Sequence, residues 1–233
     1  MQLFYNQQIT QKGIYNLDEQ ESLHAIKVLR LKVGDTIDIT NGNGFFFKAK
    51  IIDTNIKSTC IEVYEIEQEP IKRNYNLHIA IAPTKNSERF EWFVEKAVEI
   101  GIDHITPIIC QHSERKSLNI DRTEKIIISA MKQSLKAHKT QIYEPIKFEQ
   151  FVKNNHQTKN KYLAHIETNL TFKNIPKNDD YLFLIGPEGG FSNQEIVLAQ
   201  NNGFQTIKIS EFRLRTETAG IFVANALNVL LMN

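Results

Sequence analysis

The chain has 233 residues, 28 Lys and Arg against 27 Asp and Glu, a formal net charge of +1, and 41% hydrophobic residues. That length fits one large or two small domains with a real core, and the near-neutral balance excludes a generally sticky polycation, so any nucleic-acid surface must be local. No run approaches the roughly 18 apolar residues of a membrane span, and the start, Met-Gln-Leu-Phe-Tyr-Asn-Gln-Gln, has no secretory pattern, so the expectation is a cytoplasmic protein. Cys60 and Cys110 show no metal-ligand spacing, which predicts two buried free thiols and no metal.

In chain order, residues 18–29 read as a helix with Leu23, Ile26 and Leu29 inward. Residues 36–40, 45–52 and 59–66 read as strands separated by turn residues such as Asn41-Gly42-Asn43-Gly44. This is the pattern of a small β-rich barrel. The polar connection Glu69-Pro70-Ile71-Lys72-Arg73 then divides the chain into 1–72 and 73–233.

Beyond it, strand candidates at 77–82, 104–110, 162–166, 181–185 and 206–209 alternate with helices, which predicts an α/β domain with a mostly parallel sheet and right-handed crossovers. The helix from Ser87 carries Phe90, Phe93, Val94 and Ala97 on one side, with Gly101 as its cap and Trp92 off that face. A helix from near Asp121 sets Arg122, Lys125, Lys132, Lys136 and Lys139 along one face and Ile127, Ala130, Met131, Ser134 and Leu135 along the other. A basic stripe is usually a solvated face. The loop cations Arg115 and Lys116 beside it favour phosphate contact.

Two segments carry the chemistry. The apolar run 181–185 leads into Gly186-Pro187-Glu188-Gly189-Gly190-Phe191 and then Ser192-Asn193-Gln194-Glu195, a helix capping box: strand, loop, helix. Glycine serves where backbone turns sharply or approaches a ligand, although such a turn is as often an ordinary tight one. The loop lacks the Lys-Ser/Thr of a phosphate loop and the spacing of a dinucleotide loop, and Glu188 disfavours a polyanion, so a neutral or cationic ligand fits better. The second segment, Leu214-Arg215-Thr216-Glu217-Thr218-Ala219, joins another strand to a final helix with Thr216 as candidate N-cap. Strand-to-helix junctions of parallel sheets are where ligand crevices form. Arg215 and Glu217 read either as site residues or as a surface ion pair.

Together these two motifs resemble those of the RsmE family, bacterial methyltransferases of 16S ribosomal RNA in the SPOUT class. His24-x-x-x-Val28-Leu29-Arg30 and Glu95-Lys96-Ala97-x-Glu99-x-Gly101 resemble further signatures of that family, in the same order, so the similarity spans nearly the whole chain. The resemblance implies a PUA-like RNA-binding barrel over 1–72, a SPOUT domain with a C-terminal trefoil knot over 73–233, and a homodimer. It implies methyl transfer from S-adenosylmethionine to N3 of a uridine in the small ribosomal subunit. The cofactor would meet Leu163, His165, Ile185, Gly186, Pro187, Glu188, Gly189, Gly190, Ile209, Ser210, Leu214, Thr216 and Ala219. The RNA would meet Arg30, Lys32, Arg115, Lys116, Lys132, Gln133 and Lys136.

Uracil N3 carries a proton in neutral water, so a base must remove it or a cation must stabilise the anion; Glu217 and Arg215 are the candidates for those two roles. Ser210 stands where the family carries glycine, and Lys136 where it often carries arginine. The rival readings are a catalytically silent dimeric RNA-binding protein and a SPOUT enzyme with another RNA target.

Overall fold

The computed structural model describes residues 2–70, 73–154, 156–177 and 179–231. Its contacts form two compact units, Met1–Ile71 with Ile128–Lys139, and Lys72–Ile127 with Thr140–Asn233.

The first unit is a five-stranded sheet in the order β1-β3-β4-β5-β2, built from β1 (Leu3–Tyr5), β2 (Gly13–Asn16), β3 (Thr36–Thr40), β4 (Phe45–Asp53) and β5 (Cys60–Gln68). Along β4, Phe47, Ala49 and Ile51 are buried while Lys48 and Lys50 are exposed, the period of two that a half-buried strand requires. Phe4, Ile9, Ile39 and Ile61 complete the core. Gly44 has a φ of 87°, and a Cβ there would lie 2.5 Å from the His138 ring, so the Asn-Gly-Asn-Gly turn needs glycine at this position.

The first helix departs from the expected pattern. Helix α1 (Glu19–Leu23), capped by the Asp18 side chain on the Glu21 amide, runs into a π-turn over His24–Val28, closed by the Leu29 amide on the His24 carbonyl at 3.0 Å. Ser22 and Ala25 face the core, whereas Leu23 (40% exposed), Val28 (66%) and Leu29 (36%) face out. The inward assignment of Leu23 and Leu29 is therefore wrong, because the π-turn breaks the 3.6-residue period on which it rested.

The second unit is a parallel sheet ordered β12-β10-β11-β6-β7-β8, with β9 also pairing β7. Its strands are β6 (Leu77–Ile81), β7 (His104–Ile109), β8 (Gln141–Ile142), β9 (Ile146–Lys147), β10 (Asn160–Ala164), β11 (Tyr181–Ile185) and β12 (Gln205–Ile207). β11, Tyr-Leu-Phe-Leu-Ile, is buried at every position, as a central parallel strand covered on both faces must be. Helices α2 (Ser87–Ile100), α3 (Ile120–Gln133), α4 (Phe148–Lys153), α5 (Asn193–Asn201) and α6 (Thr216–Leu231) connect or cover it. Phe90, Phe93, Val94 and Ala97 are buried as expected, Trp92 is 46% exposed, and Gly101 ends α2 at a φ of 114°.

Helix α3 ends at Gln133, and Leu135 has a φ of 51°. Lys136 and Lys139 therefore lie beyond the helix and do not extend a single basic face, and Leu135 is 40% exposed where a core position was expected. Cys110 is buried, but Cys60, at the start of β5, is only partly covered. Among the described residues no helix is long and apolar enough to cross a membrane, and no cluster of three metal-ligating side chains occurs.

Candidate functional site

Parallel pairing of β10 with β11 and of β10 with β12 brings three strand ends side by side. The loops that leave them enclose a cleft of about 580 Å³, within the size range of small-molecule sites. Its walls are the segments 164–166, 185–191 and 209–216, with Ala219 from the first turns of α6. Of the residues expected at the cofactor, His165, Ile185, Gly186, Pro187, Glu188, Gly189, Gly190, Ile209, Ser210, Leu214, Thr216 and Ala219 line this cleft. Leu163 does not: it is 1% exposed and belongs to the apolar cluster beneath, because side chains alternate along a strand and its neighbour Ala164 takes the cleft position.

The glycine-rich loop is held from several sides. The Gly190 amide closes a tight turn on the Pro187 carbonyl at 2.8 Å, with Gly190 at a φ of 73° and open space where a Cβ would stand. The Glu188 carboxylate accepts the Lys85 amide at 3.0 Å, and Arg213 donates to the Glu188 carbonyl at 3.2 Å. His112 Nδ1 lies 3.1 Å from the Gly190 carbonyl. Gly189 is tight for a different reason from ligand approach, since its Cβ would meet the His112 side chain at 3.0 Å. Beyond the loop the Ser192 and Glu195 capping box forms as expected, and the other Glu195 oxygen accepts the Gln111 amide, so the start of α5 is tied to the end of β7.

Thr216 is the first residue of α6 and not its N-cap. The Arg215 carbonyl accepts the Ala219 amide at 2.8 Å, which puts Arg215 at the cap position, and the Thr216 hydroxyl donates to the Gly186 carbonyl at 2.9 Å. That bond links the two motifs directly. Ser210, in place of the family's glycine, uses its hydroxyl to accept the Phe212 amide at 3.0 Å and so closes the turn with a side chain.

Arg215 and Glu217 do not form the ion pair considered from sequence. Arg215 is exposed on the cleft wall, whereas Glu217 is 6% exposed and lies outside the cleft lining. Glu217 Oε1 is 3.9 Å from Arg89 Nε, and its Oε2 is buried without a hydrogen-bond partner. One residue separates them in sequence, and the helix start sends their side chains in different directions.

The cations expected at RNA are dispersed. In the second unit, Arg115 spends its Nε and one Nη on the carbonyls of Thr84 and Lys85, a structural use, while Lys116 is exposed. In the first, Arg30, Lys32 and Gln133 are exposed and Lys136 is half-buried. Lys132, expected at the RNA, is only 18% exposed and pairs at 2.5 Å with Glu21.

Phe191, inside the first quoted motif, and Phe212 and Arg213, just before the second, also line the cleft, though none was among the residues singled out for the cofactor. Gly220 was missed too, where a Cβ would lie 2.5 Å from the Phe93 ring.

The profile of the RNA methyltransferase domain matches residues 72–228, and that of the RNA methyltransferase PUA domain matches residues 17–63. The chain belongs to the RNA methyltransferase family. Within the family it is 31% identical, over 93% of its length and 88% of the relative's, to ribosomal RNA small subunit methyltransferase E of Buchnera aphidicola. It is 32% identical to the protein of that name from Mesomycoplasma hyopneumoniae, covering 87% and 88% of the two chains. A Porphyromonas gingivalis protein described as a probable rRNA-methyltransferase superposes with a TM-score of 0.92 at 37% identity, covering 99% and 98%. A methyltransferase structure from Legionella pneumophila, in complex with the bound cofactor SAM, superposes at 0.89 with 27% identity over 98% and 97%.

Proposed function

We propose that the protein transfers a methyl group from S-adenosylmethionine to N3 of a uridine in the 16S RNA of the small ribosomal subunit. The family and the small-subunit methyltransferases it resembles over most of their length support the rRNA substrate. The observation that carries the site is the convergence of three strand-end loops on one cleft, joined by the Thr216 to Gly186 bond, with Arg215 on its wall.

The cleft suits the cofactor. It is walled largely by backbone and small or apolar side chains; of its two arginines, Arg213 donates to the Glu188 carbonyl, and one oxygen of the Glu188 carboxylate accepts the Lys85 amide. His165, Ile185, the 186–190 loop, Ile209, Ser210, Leu214, Thr216 and Ala219 would hold it. When bound, S-adenosylmethionine supplies an electrophilic methyl group on a sulfonium. The protein's part is to orient the uracil and to favour its N3 anion; orientation alone can supply about 7–11 kcal/mol of a barrier in favourable cases. Arg215, exposed at the cleft, is placed to stabilise that anion. Glu217, buried beside Arg89, is better suited to hold the start of α6, so deprotonation falls to solvent or to the RNA's surroundings.

The RNA-recruiting role belongs to 1–72 and the transfer to 73–233, with Ile128–Lys139 grouping by contacts with the former. A ribosomal substrate sets the work in the cytoplasm, and the exposed Phe222, Val229 and Leu230 of α6 support a homodimer. Calorimetry with S-adenosylmethionine, followed by mass spectrometry of small-subunit rRNA incubated with protein and cofactor, tests the reading. Binding together with a methyl group at uridine N3 is expected. An absence of cofactor binding favours a silent RNA-binding protein, and a methyl group elsewhere a different RNA target.

A further inference from the structure

The first unit contains a cleft of about 770 Å³ between the α1 and π-turn segment and residues 129–135, all of them in that unit. It is open, and three exposed apolar side chains, Leu23 (40%), Val28 (66%) and Leu135 (40%), stand on its wall among polar ones that include Gln2, Glu19, Gln20, Lys27 and Gln133. Both non-glycine residues with positive φ among the described residues border it, Leu135 on the wall at 51° and Arg30 at 58°, two residues after the wall residue Val28. Such backbone persists only where its surroundings over-determine it, and single π-turns collect at functional positions. Glu21 and Lys132 also line the cleft as an ion pair, and Glu21 Oε2 is buried with no hydrogen-bond partner. Burial pushes the Glu21 carboxyl above its usual range despite Lys132. A buried carboxylate oxygen without a partner is costly, and a donor reaching Glu21 from the cleft would relieve that cost.

We propose that this cleft seats one unstacked base of single-stranded RNA, guanine in preference to the other three, as a recognition nucleotide distinct from the one methylated. The proposal rests on the RNA-substrate reading above. Unpaired bases are recognised by packing on their faces and hydrogen bonding along their Watson–Crick edges. Leu23 and Val28 provide the apolar surface. Guanine alone presents two adjacent N–H donors, N1–H and N2–H, beside a carbonyl acceptor: the donors suit the Glu21 carboxylate, and O6 suits the Lys132 ammonium. Uracil places its single N–H between two carbonyls, and adenine and cytosine each set a ring acceptor beside the amine, which a carboxylate repels.

The test is fluorescence anisotropy of the full chain with labelled uridine pentamers carrying a central guanine, adenine, cytosine or inosine. Guanine is expected to bind about 10-fold or more tightly than adenine or cytosine, with inosine, which lacks the N2 amine, in between. Glu21→Gln should abolish the preference. Because that change disturbs a buried pair and can unfold the unit, Val28→Ser at an exposed position provides the second variant, expected to weaken all pentamers several-fold with circular dichroism unchanged. Equal affinity for the four pentamers, retained preference in folded Glu21→Gln, or unaltered binding by Val28→Ser overturns the proposal. S-adenosylmethionine affinity and rRNA methylation are measured in parallel. Methylation without guanine preference removes the cleft and keeps the enzyme; guanine preference without cofactor binding does the reverse.

Discussion

At Arg215 and Glu217, two charges one residue apart occupy unlike surroundings, which is the basis for proposing different work for each. Arg215 is exposed on the cleft, and Glu217 is buried against Arg89. Arg215→Ala is expected to lower turnover by about 100-fold while leaving cofactor affinity nearly unchanged, the loss typical of one preorganised charge-stabilising donor. Raising the pH should recover part of that loss, since more uracil is then deprotonated before it binds. Single-turnover methylation across pH 7 to 9 reads both effects. Glu217→Gln removes a charge outside the cleft and should reduce turnover less than Arg215→Ala; a larger loss would make Glu217 the base. Which of the two lines the cleft was not legible from sequence, because a helix start turns neighbouring side chains in different directions and its position was misjudged by one residue at Thr216.

At the scale of elements, the crossing of α6 over α2 and β6 depends on Gly220. A Cβ there would meet the Phe93 ring at 2.5 and 2.8 Å and Ile81 Cδ1 at 3.0 Å, and both neighbours are fully buried. Alanine would gain about 1 kcal/mol of helix propensity, but overpacking a filled core costs about 1–3 kcal/mol, so Gly220→Ala should lower the urea midpoint. A midpoint at or above that of the parent protein would mean that α6 can shift freely.

The paired strands β6 and β7 carry a second such dependence. His78 lies half-buried among His104, Tyr143 and Phe151, with Nε2 2.8 Å from the Thr106 hydroxyl. Burial first, then the neighbouring His104 and His156, lower its pKa to about 3. The depressed value means that the neutral ring is the folded form. The stability it protects is present above the unfolded value near 6.5 and is lost as the pH falls toward 3, by about 2 kcal/mol at pH 5. His78→Gln, which does not titrate, should flatten the decline of the urea midpoint between pH 7 and pH 5; an unchanged slope would assign acid sensitivity to other groups.

For the whole molecule, the exposed Phe222, Val229 and Leu230 on the last helix make a dimer the expected state in sedimentation velocity at micromolar concentration, and a monomer would mean that this face serves another purpose. Ala219, on the same helix, is buried at the cleft and cannot contribute to that surface. The alternation of strands and helices, the parallel sheet, the core face of α2 and the capping box at Ser192 were all readable in the chain, because each is dictated by neighbours within one or two turns or by side-chain periodicity. So were nearly all the residues around the cleft, since they sit where strands end and motifs begin. The π-turn after α1, the end of α3 before Leu135, the pairing of Lys132 with Glu21, and the capture of Arg115 by backbone carbonyls were not readable. Each depends on partners distant in sequence or on a break in helical period, and only close packing of the folded chain decides which charges stay solvated and which are consumed.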